Sequence, residues 1–120
     1  MSGQVGGISI HVVDVSRGVI ASGMRVEVYT TTPGRRCLVS GSINAKGVLD
    51  DPVLMSEAMQ AGYYEAVFHV ADYYRKLGVP QTNPEFLDVV PIRVAIYDAG
   101  QRYHVPLYFS PWGFMTYRGS

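Results

Sequence analysis

Cysteine is almost missing from this chain. Cys37 is the single one among 120 residues, so an internal disulfide framework is excluded, and without a C-x-x-C pair there is no thiolate zinc motif. A reducing compartment suits such a chain, and the cytoplasm is its expected location. An excess of charge of either sign is missing as well: ten Lys and Arg balance ten Asp and Glu. No basic run interleaved with aromatics occurs, which excludes the electrostatic footprint of a nucleic-acid or anionic-membrane binder. Long apolar runs are absent too. No stretch approaches a membrane span, and MSGQVGG at the start has neither the positive flank nor the apolar core of a secretory signal. Small molecules and protein partners remain.

What is present is β-patterning. With 48% apolar residues, the length fits one compact domain with a single core, expected over residues 7–120 behind a loose tail at 1–6. Apolar residues alternate in short runs bounded by Gly, Pro, Asn or Asp, the pattern of half-buried antiparallel strands. In GISIHVVDV, Ile8, Ile10 and Val12 share one face, and Ser9, His11 and Val13 the other. Arg25 to Thr31 puts Val26 and Val28 inward, with Cys37 to Ile43 as its partner across the TTPGR turn; a short strand is expected at Gly47 to Asp50. Gly62 opens YYEAVFHV, which gives way to a helix around 71–77 stopped by Gly78, with Arg75 and Lys76 near its negative end. Strands around Ile92 to Ile96, Tyr103 to Phe109 and Phe114 to Arg118 complete the set. About eight short strands with one helix predict an all-β, two-sheet sandwich.

Alternation in the run around Tyr103 to Phe109 leaves His104, Pro106 and Tyr108 opposite the core-facing residues. His104 therefore repeats the situation of His11. A face carrying Val13, Tyr29, Pro106 and Tyr108 beside histidines is too apolar to be only solvated, so another subunit is expected to cover it. Two imidazoles off the core can supply a neutral base and a hydrogen-bonding or protonated partner, because histidine ordinarily titrates near ~6.5. Water can be activated by such a pair without a metal.

The pairing of IxIHVxD near the start with YHVPLxxSPxGFxTYRGS at the end resembles the transthyretin-like 5-hydroxyisourate hydrolases, and GYYEAVF fits the same family's G-x-Y-x-x-x-F. The resemblance implies a transthyretin sandwich assembled as a homotetramer, a dimer of dimers. It also implies a cofactor-independent ring-opening hydrolysis of a small-molecule substrate in urate breakdown, at sites in the channel where two dimers meet. By the resemblance, His11 and His104 are the catalytic histidines, and Tyr117, Arg118, Gly119 and Ser120 form the terminal tetrapeptide. Ser120 is then a hydrogen-bond donor to substrate or water rather than a nucleophile, since no Ser–His–Asp arrangement compels covalent catalysis. Arg118 either holds the strand end or stabilises oxyanion charge. Tyr117 either seals a subunit interface or contacts substrate.

One position departs from the family pattern. Its T-D-x-D-G-R motif, whose arginine faces the substrate, aligns with INAKGV, so Val48 stands in the arginine's place. An aliphatic group cannot hold a carbonyl-rich ring as a bidentate cation does. Three explanations stay open: a related substrate such as an N-methylated hydroxyisourate, where an apolar wall suits a methyl group; a cation supplied by Arg35, Arg36 or Arg118; or a non-catalytic ligand-binding channel. Both histidines and the whole tetrapeptide favour an enzyme. The family's F-F-P-E is likewise reduced to TNPE at Thr82 to Glu85. His69 reads as an ordinary surface or packed residue, Cys37 as an inert thiol, Arg35 and Arg36 as a solvated turn pair, and no metal site is expected.

Overall fold

The computed structural model describes residues 6–119. Its elements run β1 (Gly7–Asp14), β2 (Val19–Ile20), β3 (Arg25–Thr30), β4 (Arg36–Ser42), a 3-10 turn (Pro52–Met55), β5 (Gly62–Phe68), α1 (Val70–Leu77), β6 (Val90–Ile96), β7 (Arg102–Ser110) and β8 (Gly113–Thr116). Two four-stranded sheets form, in the orders β2-β1-β7-β8 and β4-β3-β5-β6. This is the expected two-sheet sandwich. The alternating residues of both sheets meet between them: Ile8, Ile10 and Val12 of β1 with Tyr103, Val105, Leu107 and Phe109 of β7 on one side, and Val26, Val28, Tyr64, Ala66, Phe68 and Ile92 on the other. Leu107 and Phe109 are wholly buried, and truncating such a leucine to alanine costs about 2–5 kcal/mol.

Four expectations are corrected. The strands are not all antiparallel: β1 and β7 run parallel, Ser9 opposite His104 and His11 opposite Pro106. Most of the chain lies between them, so no tight hairpin constrains their direction. No strand forms at Gly47 to Asp50. The Asn44 side chain accepts from the N–H groups of Lys46 and Val48, which folds the segment into a turn and leaves a single bridge between His11 and Val48. The eighth strand is instead β2, too short to show alternation. Tyr29 does not join the histidine face, because β3 belongs to the other sheet and its ring lies beneath the Arg35 guanidinium, 3.9 Å away. Gly6, assigned to the tail, is buried and donates to Ala99 O at 3.2 Å; the rest of the expected tail lies outside the described residues.

The helix forms one residue earlier than expected and ends as its sequence dictates. Gly78 adopts a left-handed conformation at φ 72°, with Arg75 and Lys76 in the last turn, and only glycine takes that conformation without penalty. Tyr73 packs edge-on and Tyr74 at a tilt against Phe109, 5.5 and 5.6 Å between ring centroids. The Tyr74 hydroxyl also donates to the wholly buried Asp14 at 2.8 Å, tying the helix to the end of β1. Among the described residues no helix is long and apolar enough to cross a membrane.

Candidate active site

The parallel β1–β7 ladder brings the two predicted histidines onto one surface. Ser9, His11 and Val13 alternate out of β1, and His104, Pro106 and Tyr108 out of β7, with Ser9 opposite His104 and Val13 opposite Tyr108. His11 and His104 are diagonal neighbours, about 8 Å apart at Cα from the strand spacing and rise. β8 pairs along the other edge of β7, with Met115 opposite Tyr108, and beyond it an isolated bridge joins Gly119 to His104.

Each imidazole lodges against a glycine. For His104 it is Gly119, whose N–H donates to the His104 carbonyl at 2.8 Å; a Cβ at Gly119 would stand 2.6 Å from the ring's Cδ2. On its other edge, His104 Nδ1 lies 2.7 Å from Ser9 Oγ. For His11 it is Gly47, where a Cβ would come within 2.9 Å of Nε2. The Gly47 carbonyl accepts from Val12 N–H at 2.9 Å, which pins the turn to β1. Gly47 has φ 82°, so the turn conformation and the close approach both call for glycine. Val48 follows it and is half-buried beside His11.

Tyr117 also reaches this face, its ring stacked on Tyr108 at 6.4 Å between centroids and an interplanar angle of 23°. The neighbouring Tyr108 hydroxyl, through hydrogen bonding first and charge repulsion second, raises the Tyr117 phenol above its ordinary value. Arg118 turns the other way. Its guanidinium donates to Tyr97 Oη at 2.7 Å and to Gln101 Oε1 and the Arg102 carbonyl at 3.0 Å, and lies 4.3 Å over the Tyr103 ring. Of the two roles open to it, holding the strand end is the one its contacts make. Arg35 is committed to Glu65 and Tyr29 on the opposite sheet, and Arg36 sits opposite Thr30 there. The position of Val48 is therefore not compensated by any of the three cations within this chain. Ser120 lies outside the described residues.

This surface presents two imidazoles, a phenol pair and the apolar, half-buried Val13 and Val48. A model of the HIUase/transthyretin family matches residues 8–119. The chain belongs to that family. Among curated relatives it is 40% identical to 5-hydroxyisourate hydrolase 2 of Rhizobium meliloti (strain 1021), across 96% of this chain and 97% of that protein. It is 41% identical to the 5-hydroxyisourate hydrolase of Deinococcus radiodurans over the full length of both. Among solved structures, an (S)-allantoin synthase superposes on 98% of this chain with a TM-score of 0.91 and 33% identity. The chain spans 44% of that larger protein.

Within this member of the HIUase/transthyretin family, sequence reasoning found the histidines but missed two groups that hold them. Ser9 was available from alternation, which put it on the His11 face, but its partner became visible only once β1 and β7 paired in parallel. Asn44 carried a turn signal, an Asn three residues before Gly47. His69, read as an ordinary residue, donates from Nε2 to Glu27 Oε1 at 2.9 Å on the outer face of the other sheet, and among the described residues no three His, Cys, Asp or Glu side chains converge on a metal position.

Proposed function

We propose that this protein is a hydrolase that opens the ring of 5-hydroxyisourate or of a close N-methylated analogue, by attack of water on a cyclic amide carbonyl. The observation that supports it best is the pair of histidines side by side on one half-exposed face, each packed against a glycine of a motif segment. One imidazole accepts the proton of water while the other hydrogen-bonds the carbonyl or the leaving nitrogen. In this reading Tyr117, Gly119 and Ser120 contact the substrate, and Arg118 anchors the segment around itself through Tyr97, Gln101 and the Arg102 carbonyl. Val48 offers an apolar contact beside His11, which suits a methylated ring edge better than a bare amide. No cofactor is required for this chemistry.

The same reading takes the protein as a cytoplasmic homotetramer, a dimer of dimers, with this face lining a channel between dimers. Exposed Met115, opposite Tyr108 on this face, supports a covered surface, and light scattering after size exclusion tests it through the mass. The function is tested by following freshly generated 5-hydroxyisourate and its methylated analogues side by side. Faster decay of at least one ring with the protein present supports a hydrolase. Spontaneous rates for all of them would leave a ligand-binding protein using the same channel.

A further inference from the structure

We propose that Ser9 is the positioning residue of His104: its hydroxyl oxygen accepts from Nδ1–H, so that Nε2 is the nitrogen that exchanges protons with water and substrate. The proposal deepens the hydrolase reading above and rests on it for its kinetic part.

The contact is short and built by the sheet rather than by chance rotamers. Ser9 Oγ stands 2.7 Å from His104 Nδ1, and the two residues are direct partners in an eight-residue parallel ladder from Gly7–Arg102 to Asp14–Phe109. The neighbouring Ile8, Ile10, Tyr103 and Val105 are all buried in the core, so neither Cα can slide along its strand. On the far edge of the ring, Gly119 approaches Cδ2 so closely that no side chain fits there. His104 is thus held from two sides, with Nδ1 occupied by Ser9. Nε2 is the remaining nitrogen.

The direction of the bond follows from the proton cycle. A ring that takes a proton from water on Nε2 must start with Nε2 bare, which in neutral imidazole requires the hydrogen on Nδ1. A serine oxygen can accept from that Nδ1–H in both the neutral and the cationic ring, so the hydroxyl need not turn during the reaction. Were Ser9 to donate instead, Nε2 would already carry a hydrogen and could not act as the base. In the step itself, the water oxygen bonds to the amide carbonyl carbon and a water proton passes to Nε2. When the tetrahedral species collapses, the ring C–N bond breaks and Nε2 returns that proton to the leaving nitrogen, which restores His104. Ser9 forms no covalent bond in this cycle. A general acid–base group held by a second side chain commonly loses activity when that support is removed.

The test uses the full chain in its native assembly, labelled with nitrogen-15. With the rings neutral at high pH, long-range proton–nitrogen correlations should show His104 as the Nδ1–H tautomer, and Ser9→Ala should move it toward the Nε2–H form that free imidazole side chains prefer. On whichever hydroxyisourate the protein hydrolyses, Ser9→Ala should lower kcat by about tenfold to a hundredfold with KM little changed, and Ser9→Thr, which keeps the hydroxyl, should recover most of the loss. An Nε2–H tautomer in the native protein, or a tautomer unmoved by Ser9→Ala, overturns the proposal. So does an unchanged kcat, or a covalent adduct on Ser9 in quenched turnover samples, which would make it a nucleophile. If no hydroxyisourate is hydrolysed, the hydrolase reading fails while the tautomer measurement still decides the role of Ser9.

Discussion

Gly119 lies against the His104 ring so closely that a Cβ there would stand 2.6 Å from Cδ2 and 3.2 Å from Cγ. The backbone bond from Gly119 N–H to the His104 carbonyl fixes this approach, so the ring, not the backbone, must yield to a side chain. Gly119→Ala should therefore tilt the imidazole off its place while the sandwich stays folded. The expected outcome is a fall in kcat/KM of roughly 10–100-fold, the scale of a 1 Å misplacement, with a thermal midpoint close to that of the native protein. Steady-state rates and a thermal melt check it; full activity in the alanine variant would mean that the close approach has no bearing on His104.

Val48 occupies the turn built by Asn44 and Gly47, half-buried beside His11. Arg118 and Arg35 are engaged elsewhere and Arg36 lies on the other sheet, so substitution at this one position adds a cation beside His11. Val48→Arg should raise kcat/KM for the unmethylated ring relative to the methylated ones, because a guanidinium adds paired donors for carbonyl oxygens and removes the apolar wall. A side-by-side assay of native and variant protein reads the ratio. An unchanged ratio would remove Val48 from substrate selection.

Much of this architecture could be read from the chain because alternation reports faces directly. Ile8, Ile10 and Val12 against Ser9, His11 and Val13 gave the correct inward and outward sets, and the same held for Tyr103 to Phe109. Alternation says nothing about which strands are neighbours. That is why Tyr29 was grouped with the histidines although β3 lies in the other sheet, and why the Ser9–His104 contact went unseen although both residues were on the expected face. It also overestimates strands in turns. Gly47 to Asp50 looked extended, but the side chain of Asn44 captured two backbone N–H groups and bent the segment, a local competition that period-two patterns do not register. The sequence leaves Arg118 two roles because its partners, Tyr97, Gln101 and the Arg102 carbonyl, lie 16 to 21 residues away.

The buried tie between Asp14 and α1 gives a stability prediction remote from the histidine face. Asp14 is wholly inaccessible; its Oδ1 accepts from the Ser16 hydroxyl at 2.6 Å, Ser16 N–H at 3.1 Å and Tyr74 Oη at 2.8 Å, and its Oδ2 has no partner among the described residues. Burial raises the Tyr74 phenol well above its ordinary value, which keeps it a donor. Tyr74→Phe keeps the ring packed on Phe109 but removes one donor from a buried carboxylate, a loss of about 1–3 kcal/mol. Urea unfolding should show a lower midpoint with an unchanged slope. A midpoint equal to that of the native protein would mean the hydroxyl contributes nothing to folding.

The outer face of the second sheet carries two carboxyls held below their ordinary value. Glu65 is 6% exposed and accepts from Arg35 and from Arg93 Nε, the latter at 3.1 Å; the Arg35 bond, more than any other influence, holds its carboxyl below the ordinary value. Glu27 is lowered in the same way, first by its hydrogen bond with His69. A carboxyl lowered in the folded state binds fewer protons there than in the unfolded chain, so stability rises with pH across the interval between the two values. The contribution is complete above the unfolded value, near ~4.3 for glutamate, and is lost as pH falls toward the folded one. Stability measured at fixed protein concentration should therefore be level through neutral pH and decline below about pH 4–5. Glu65→Gln should start lower at neutral pH, because two guanidinium groups lose their charged partner, and decline less steeply in acid. Parallel acid limbs for native and variant protein would mean that Glu65 carries no part of the pH dependence.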